Sequence, residues 1–159
     1  MTFGDQGGTE LSTLRGRDYP GVRQFSIFLE NRVGALLDLV RRIEASGNRI
    51  VALTVVDSAD CAVIRLILSD PERAAETLKL AKLAFFECNL LLVQLPPGNA
   101  PLGKVCKALL AAEINIHYAY PLLLHPHGPT LAISVDDSVL AAQVLLRKQF
   151  KLIGESDLK

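Results

Sequence analysis

The sequence carries no excess of charge of either sign, no long apolar run, few aromatics and only an odd handful of cysteines. Each shortage excludes a class of function. Lys plus Arg number 17, as do Asp plus Glu, so the formal net charge is zero. A nucleic-acid binder usually needs a basic excess to neutralise phosphates, and no nucleic-acid partner is expected. Aromatics are 6% of residues and Cys61–Leu68 contains none, whereas sheet-borne RNA recognition needs exposed aromatics on central strands. No apolar run approaches the roughly 18 residues of a membrane span, so no membrane partner is expected. Met1–Glu10 lacks the basic and apolar regions of a signal peptide. Cys61, Cys88 and Cys106 are widely spaced and form no Cys-x-x-Cys pair. They read as reduced thiols packed in the core of a cytoplasmic protein. There is no Gly-x-x-x-x-Gly-Lys phosphate loop and no recognisable nucleophile–base motif. The chain is therefore read as non-catalytic, without a cofactor.

What is present is apolar material arranged in two kinds of period. Half of the 159 residues are hydrophobic, enough for one ordinary domain or two very small modules. Residues 1–19 show no period and read as a tail, closed by the turn signal Pro20-Gly21. Alternation predicts a strand at Val22–Leu29, with Phe25, Ile27 and Leu29 on one face. Ala35–Ser46 has helical spacing and is stopped by Gly47-Asn48. Strands follow at Arg49–Val56 and Cys61–Leu68. Asp70 and Pro71 then open a helix running to about Ala84. Phe86–Leu95 is one long apolar strand. A helix at Pro101–Ala112 places Leu102, Val105, Cys106, Leu109 and Leu110 on one stripe. Strands at Asn115–Leu124 and Thr130–Val135, a helix at Asp137–Lys148 and a short strand at Phe150–Ile153 complete the chain.

The order is strand, helix, strand, strand, helix, strand, twice. Leu36 and Leu102 open equivalent stripes 66 residues apart. Ala74-Ala75-Glu76-Thr77-Leu78 matches Ala141-Ala142-Gln143-Val144-Leu145 at an offset of 67. The fold class is α+β: two ferredoxin-like βαββαβ modules, antiparallel sheets with helices on one face. The boundaries expected are 20–89 and 90–159, with the Phe86–Leu95 strand serving both. Ile50–Val56 is apolar on both faces, so the helix-free sheet face needs a partner surface. Tight module pairing and a homodimer are expected.

The segment Phe28-Leu29-Glu30-Asn31-Arg32-Val33-Gly34-Ala35-Leu36 resembles the first strand, loop and helix start of an ACT domain. Ile50–Ala74 and Ile114-Asn115-Ile116-His117-Tyr118-Ala119-Tyr120 are similar to small prokaryotic tandem-ACT proteins. The resemblance covers about residues 22–155. It implies a regulatory protein that binds an amino acid where paired modules meet and conveys occupancy to a partner enzyme, with the ligand on the loop between first strand and first helix. Such a loop ends at a helix N-terminus, whose free N–H groups and dipole favour a carboxylate. The first-module site is then Asn31, Arg32, Val33, Gly34 and Ala35, with Ile50, Val51 and Ala52. Two departures stand out: Val33 replaces the family's usual Pro, and Ala100 stands where the second loop should have Gly. A second site would use Asn99, Ala100, Pro101, Leu102, His117 and Tyr118.

Each of these residues also has a plainer reading. Gly34 suits a tight turn with or without a ligand. Arg32 either binds a carboxylate or is solvated, and Asn31 either bonds an amino group or caps the helix. His117, Tyr118 and Tyr120 either line a site or pack an interface. His125-Pro126-His127 has two imidazoles but no third ligand nearby, so no metal is expected. Two other functions remain open. One is a structural dimerisation module without a ligand. The other is an acylphosphatase-like hydrolase, for which Arg32 is tolerably placed but the Gly-rich cradle is absent.

Overall fold

In β1 (Val22–Glu30), Phe25 and Ile27 are buried on one face, Gln24 and Ser26 on the other. A strand buried on both faces must lie between two layers, and the whole architecture follows from that. The computed structural model describes residues 20–159; the expected tail, residues 1–19, lies outside them. After β1 come α1 (Ala35–Ala45), β2 (Ile50–Asp57), β3 (Cys61–Leu68), α2 (Pro71–Leu80) and β4 (Ala84–Gln94). The second half contains α3 (Pro101–Ala111), β5 (Ile116–Pro121), β6 (Thr130–Val135), α4 (Ser138–Arg147) and β7 (Lys151–Ile153). A single 3₁₀ turn, Glu155–Leu158, had no signature in the sequence. The helix expected to reach Ala84 stops at Leu80, because Lys82 takes a left-handed conformation (φ 54°) and turns the chain into β4.

The sheet order is β2-β3-β1-β4-β6-β5, with β7 also on β4, and every pairing is antiparallel. The start of β4 pairs with β1, from Phe28↔Ala84 to Val22↔Leu90. Its end pairs with β6 (Leu91↔Ile133) and β7 (Leu92↔Ile153). One strand thus closes the first βαββαβ unit and opens the second. In the first unit α1 and α2 cover one sheet face, around Phe25, Ile27, Leu39, Ile43, Ile64 and Leu78. In the second, α3 and α4 do the same around Leu91, Val93, Val105, Leu109, Ile133 and Leu145.

The two helix-free faces meet. Val22, Val51, Ala52, Ile67, Leu90, Leu92, Leu122, Ile153 and Leu158 form a third core between them. Burial of such side chains contributes on the order of 10 kcal/mol before ordering entropy is subtracted. The sheet curls until its two end strands touch: Ala52 bridges Leu122, and the Val51 carbonyl accepts the N–H groups of Leu123 (2.7 Å) and Leu124 (3.1 Å). A β-bulge between Ile50 and Ala52 makes this contact, and it explains why Val51 and Ala52 are both buried. The second unit has its bulge at the equivalent place, between Ile116 and Tyr118.

Backbone conformation repeats with the same offset. Gly34, Gly47 and Lys82 have positive φ, and so do Ala100, Glu113 and Gln149, 66 or 67 residues later. The expected helix stripes need correction. Leu36 and Leu102 are 38% and 49% exposed, and Leu110 and Cys106 are also exposed. α3 buries only Val105, Ala108 and Leu109, so Leu102, Cys106 and Leu110 fall on an outer line one position round the helix. Cys61 and Cys88 are half-buried rather than fully packed.

Candidate ligand site

α1 begins without a cap. Gly34 holds the N-cap position at φ 87° and no side chain bonds the first-turn N–H groups. α3 begins the same way at Ala100, φ 51°. By contrast α2 and α4 are capped by Asp70 and Asp137, whose carboxylates accept the N–H of Arg73 and Leu140. The open helix starts are thus the two that follow the first strand of each unit. In α1 the Ala35 N–H is held by the Arg32 carbonyl at 3.3 Å, while those of Leu36 and Leu37 have no backbone acceptor among the described residues and are left for an anion. A Cβ built on Gly34 meets nothing within 4 Å, so glycine is needed there for its angle and not for room.

A cleft of about 400 Å³ opens beside this loop. Ala35, Asp38 and Arg42 line it from one face of α1, Glu30 from the end of β1, Arg32 from the loop, and Lys82 from the α2–β4 turn. Three cations and two carboxylates therefore surround one space, a complement for a small zwitterion. Arg32 meets Asp38 at 3.1 Å, with both side chains more than half exposed, so the pair itself is worth little and can open. Sequence reading missed Arg42, Asp38, Glu30 and Lys82. The spacing of Ala35, Asp38, Leu39 and Arg42 would have revealed the α1 members; nothing local points to Lys82.

The remaining predicted residues lie in several places. Asn31 neither caps α1 nor faces free solvent alone: its Nδ2 donates to Asp57 Oδ1 at 2.9 Å, tying the loop to the end of β2. Val33 is fully exposed. The structure does not bring Ile50, Val51 and Ala52 to the loop. β3 lies between β1 and β2, and Ala52 aligns through Ile67 with Gln24. Gln24 lies six residues before the Glu30 end of β1, roughly 20 Å at strand rise. Val51 and Ala52 face the second unit instead. Asn99, Ala100 and Leu102 are exposed at the second loop, and Pro101 at its first helical position lacks an N–H. His117 sits exposed at the β5 bulge.

Tyr118 and Tyr120 belong to the seam between the units. Gln24, fully buried, donates through Nε2 to Tyr118 Oη (2.9 Å) and accepts through Oε1 from Tyr120 Oη (2.6 Å). Its Nε2 also lies 3.2 Å from Ser26 Oγ. The Arg65 guanidinium stacks 4.0 Å above the Tyr118 ring. Burial pushes the Tyr120 hydroxyl well above the usual phenol range, so it stays a donor. Among the described residues, no group of three His, Cys, Asp or Glu could hold a metal ion, and no helix is long and apolar enough to cross a membrane.

Two ferredoxin-like units that share β4, each with an uncapped first helix, define the class: a tandem pair of βαββαβ modules. The family model described as an ACT domain pair matches residues 21–159, and the chain belongs to that family. Among solved structures it is similar to a protein of Bacteroides thetaiotaomicron at 27% identity, with TM-score 0.80, over 89% of this chain and 97% of that one. It also resembles the ligand-free regulatory subunit of aspartate kinase from Thermus thermophilus, at 10% identity and TM-score 0.54, over 82% and 93% of the two chains. The corresponding subunit from Thermus flavus gives 12% identity and TM-score 0.50, over 81% and 92%. The likeness to the aspartate kinase subunits is one of fold. No curated protein matches this chain.

Proposed function

We propose that this chain is a non-catalytic regulatory protein of the cytoplasm that binds an amino acid at the β1–α1 loop of its first module. The observation that carries the reading is the uncapped, glycine-started α1 opening on a cleft of mixed charge. A carboxylate suits the free N–H groups and the Arg32, Arg42 and Lys82 cations; an ammonium suits Glu30 and Asp38. We place the module boundary at 89/90, one residue before β4 exchanges β1 (last paired at Leu90) for β6 (first paired at Leu91). The second loop, with Pro101 in place of one donor, is the weaker candidate.

The same reading gives the homodimer a surface. The second unit covers only part of the first unit's helix-free face. Phe28 and Phe86, 39% and 52% exposed with ring centroids 5.6 Å apart, continue that face outward with Val56. A second copy would extend the apolar layer that already joins the two units. Regulation then follows if ligand prefers one arrangement of the pair over another.

The test is a thermal-shift screen against the common amino acids. A ligand at about 100 times its Kd stabilises the native state by ~2.7 kcal/mol, roughly 5–10 °C for a chain of this size. The Arg32→Ala/Arg42→Ala variant should keep the unliganded midpoint and lose the shift. No shift with any amino acid favours the ligand-free dimerisation module.

A further inference from the structure

A second cavity, of about 280 Å³, lies on the seam between the two units and away from the β1–α1 loop. Its walls come from three separate parts of the chain: Arg49 and Val51 at the entry to β2, Leu124, Pro126 and His127 from the β5–β6 connection, and Asp157, Leu158 and Lys159 from the 3₁₀ turn and the residue after it. The bottom is fixed, because the Val51 carbonyl already holds the N–H groups of Leu123 and Leu124. Arg49 is fixed as well: its Nη2 donates to the Leu158 carbonyl at 3.0 Å. That is the guanidinium's one protein acceptor among the described residues, and a guanidinium has five N–H donors in a planar fork. The carboxylate at the wall, Asp157, is engaged elsewhere, accepting the Gly154 N–H at 2.9 Å.

We infer that this cavity binds a small organic carboxylate with a short apolar body. A planar fork with unused donors matches a carboxylate, and a permanently charged one keeps its preference at any physiological pH. The His127 imidazole lies in the same cavity as a further polar partner, whereas His125 does not line it. Val51, Leu124, Pro126 and Leu158 leave room for a few carbon atoms, and Lys159 adds a second cation at the wall. The volume is below that of drug-sized sites. Since the walls belong to both units, an occupant would bridge them.

The experiment is a 1H–15N chemical-shift titration of the full chain with isobutyrate, with isobutyramide as the uncharged control at matched ionic strength. The inference predicts saturable shifts at the amides of Arg49, Val51, Leu124 and His127, with the acid alone. Arg49→Gln should weaken binding by at least about tenfold, the scale of a lost charge-assisted hydrogen bond. Leu124→Trp fills the space while leaving Arg49 and its Leu158 contact intact, and should abolish the seam shifts. Equal response to the amide overturns the inference, as does a response confined to Arg32–Ala35, or wild-type affinity in both folded variants.

Discussion

Ala100 holds the left-handed conformation that Gly34 holds in the first module. For an L-residue with a Cβ this costs about 1–2 kcal/mol, partly offset in a comparison with glycine by glycine's larger loss of chain entropy. Ala100→Gly should therefore raise the unfolding free energy by about 0.5–1 kcal/mol in urea titration. Gly34→Ala should lower it by a similar amount. The register on Leu36 and Leu102 made the equivalence of these positions legible, but not the strain, since alanine gives no sign of its φ. Tyr120 sets a pH dependence. Burial raises its pKa in the folded chain above the unfolded value of about 10. Its contribution is full below that value and lost as pH rises beyond it. Stability should fall above about pH 10, and Tyr120→Phe should flatten that fall in alkaline denaturation curves.

Among elements, β4 and the seam around Gln24 decide how the units sit. Gln24 is fully buried and bonds both Tyr118 and Tyr120 across the seam. Gln24→Leu leaves the Tyr120 hydroxyl buried without an acceptor and should cost about 2–4 kcal/mol; pairing it with Tyr120→Phe should recover part of that loss. A double-mutant cycle in urea measures the coupling. At the outer end of the same face, Phe28→Asp/Phe86→Asp should leave the fold intact and shift the mass in sedimentation equilibrium from dimer to monomer. The sequence showed β4 as a strand of both units, because its apolar run is too long for one. It did not show the bulge at Val51, since the extra residue is as apolar as its neighbours. For that reason Ile50, Val51 and Ala52 read as lining for the loop when two of them belong to the seam.

For the whole molecule, the repeats are alike in backbone and unequal in chemistry. Alternation and helical spacing specify each βαββαβ unit locally, so the fold was legible. The cleft was legible only in part: Arg32 and Ala35 belong to the loop that was read, whereas Glu30, Asp38 and Arg42 flank it without a motif and Lys82 arrives from another loop. The three left-handed positions of the first module are two glycines and Lys82, and their equivalents in the second, Ala100, Glu113 and Gln149, all have side chains. The second helix start has also exchanged an N–H donor for Pro101. The proposed function therefore predicts that, of the two helix starts, one holds an amino acid. Isothermal titration calorimetry with the amino acid found by thermal shift tests this most directly. A stoichiometry of one per chain, lost in Arg32→Ala/Arg42→Ala, is the result expected. With the seam cavity filled by Leu124→Trp, a stoichiometry of two, or heat of binding that survives the double substitution, contradicts it.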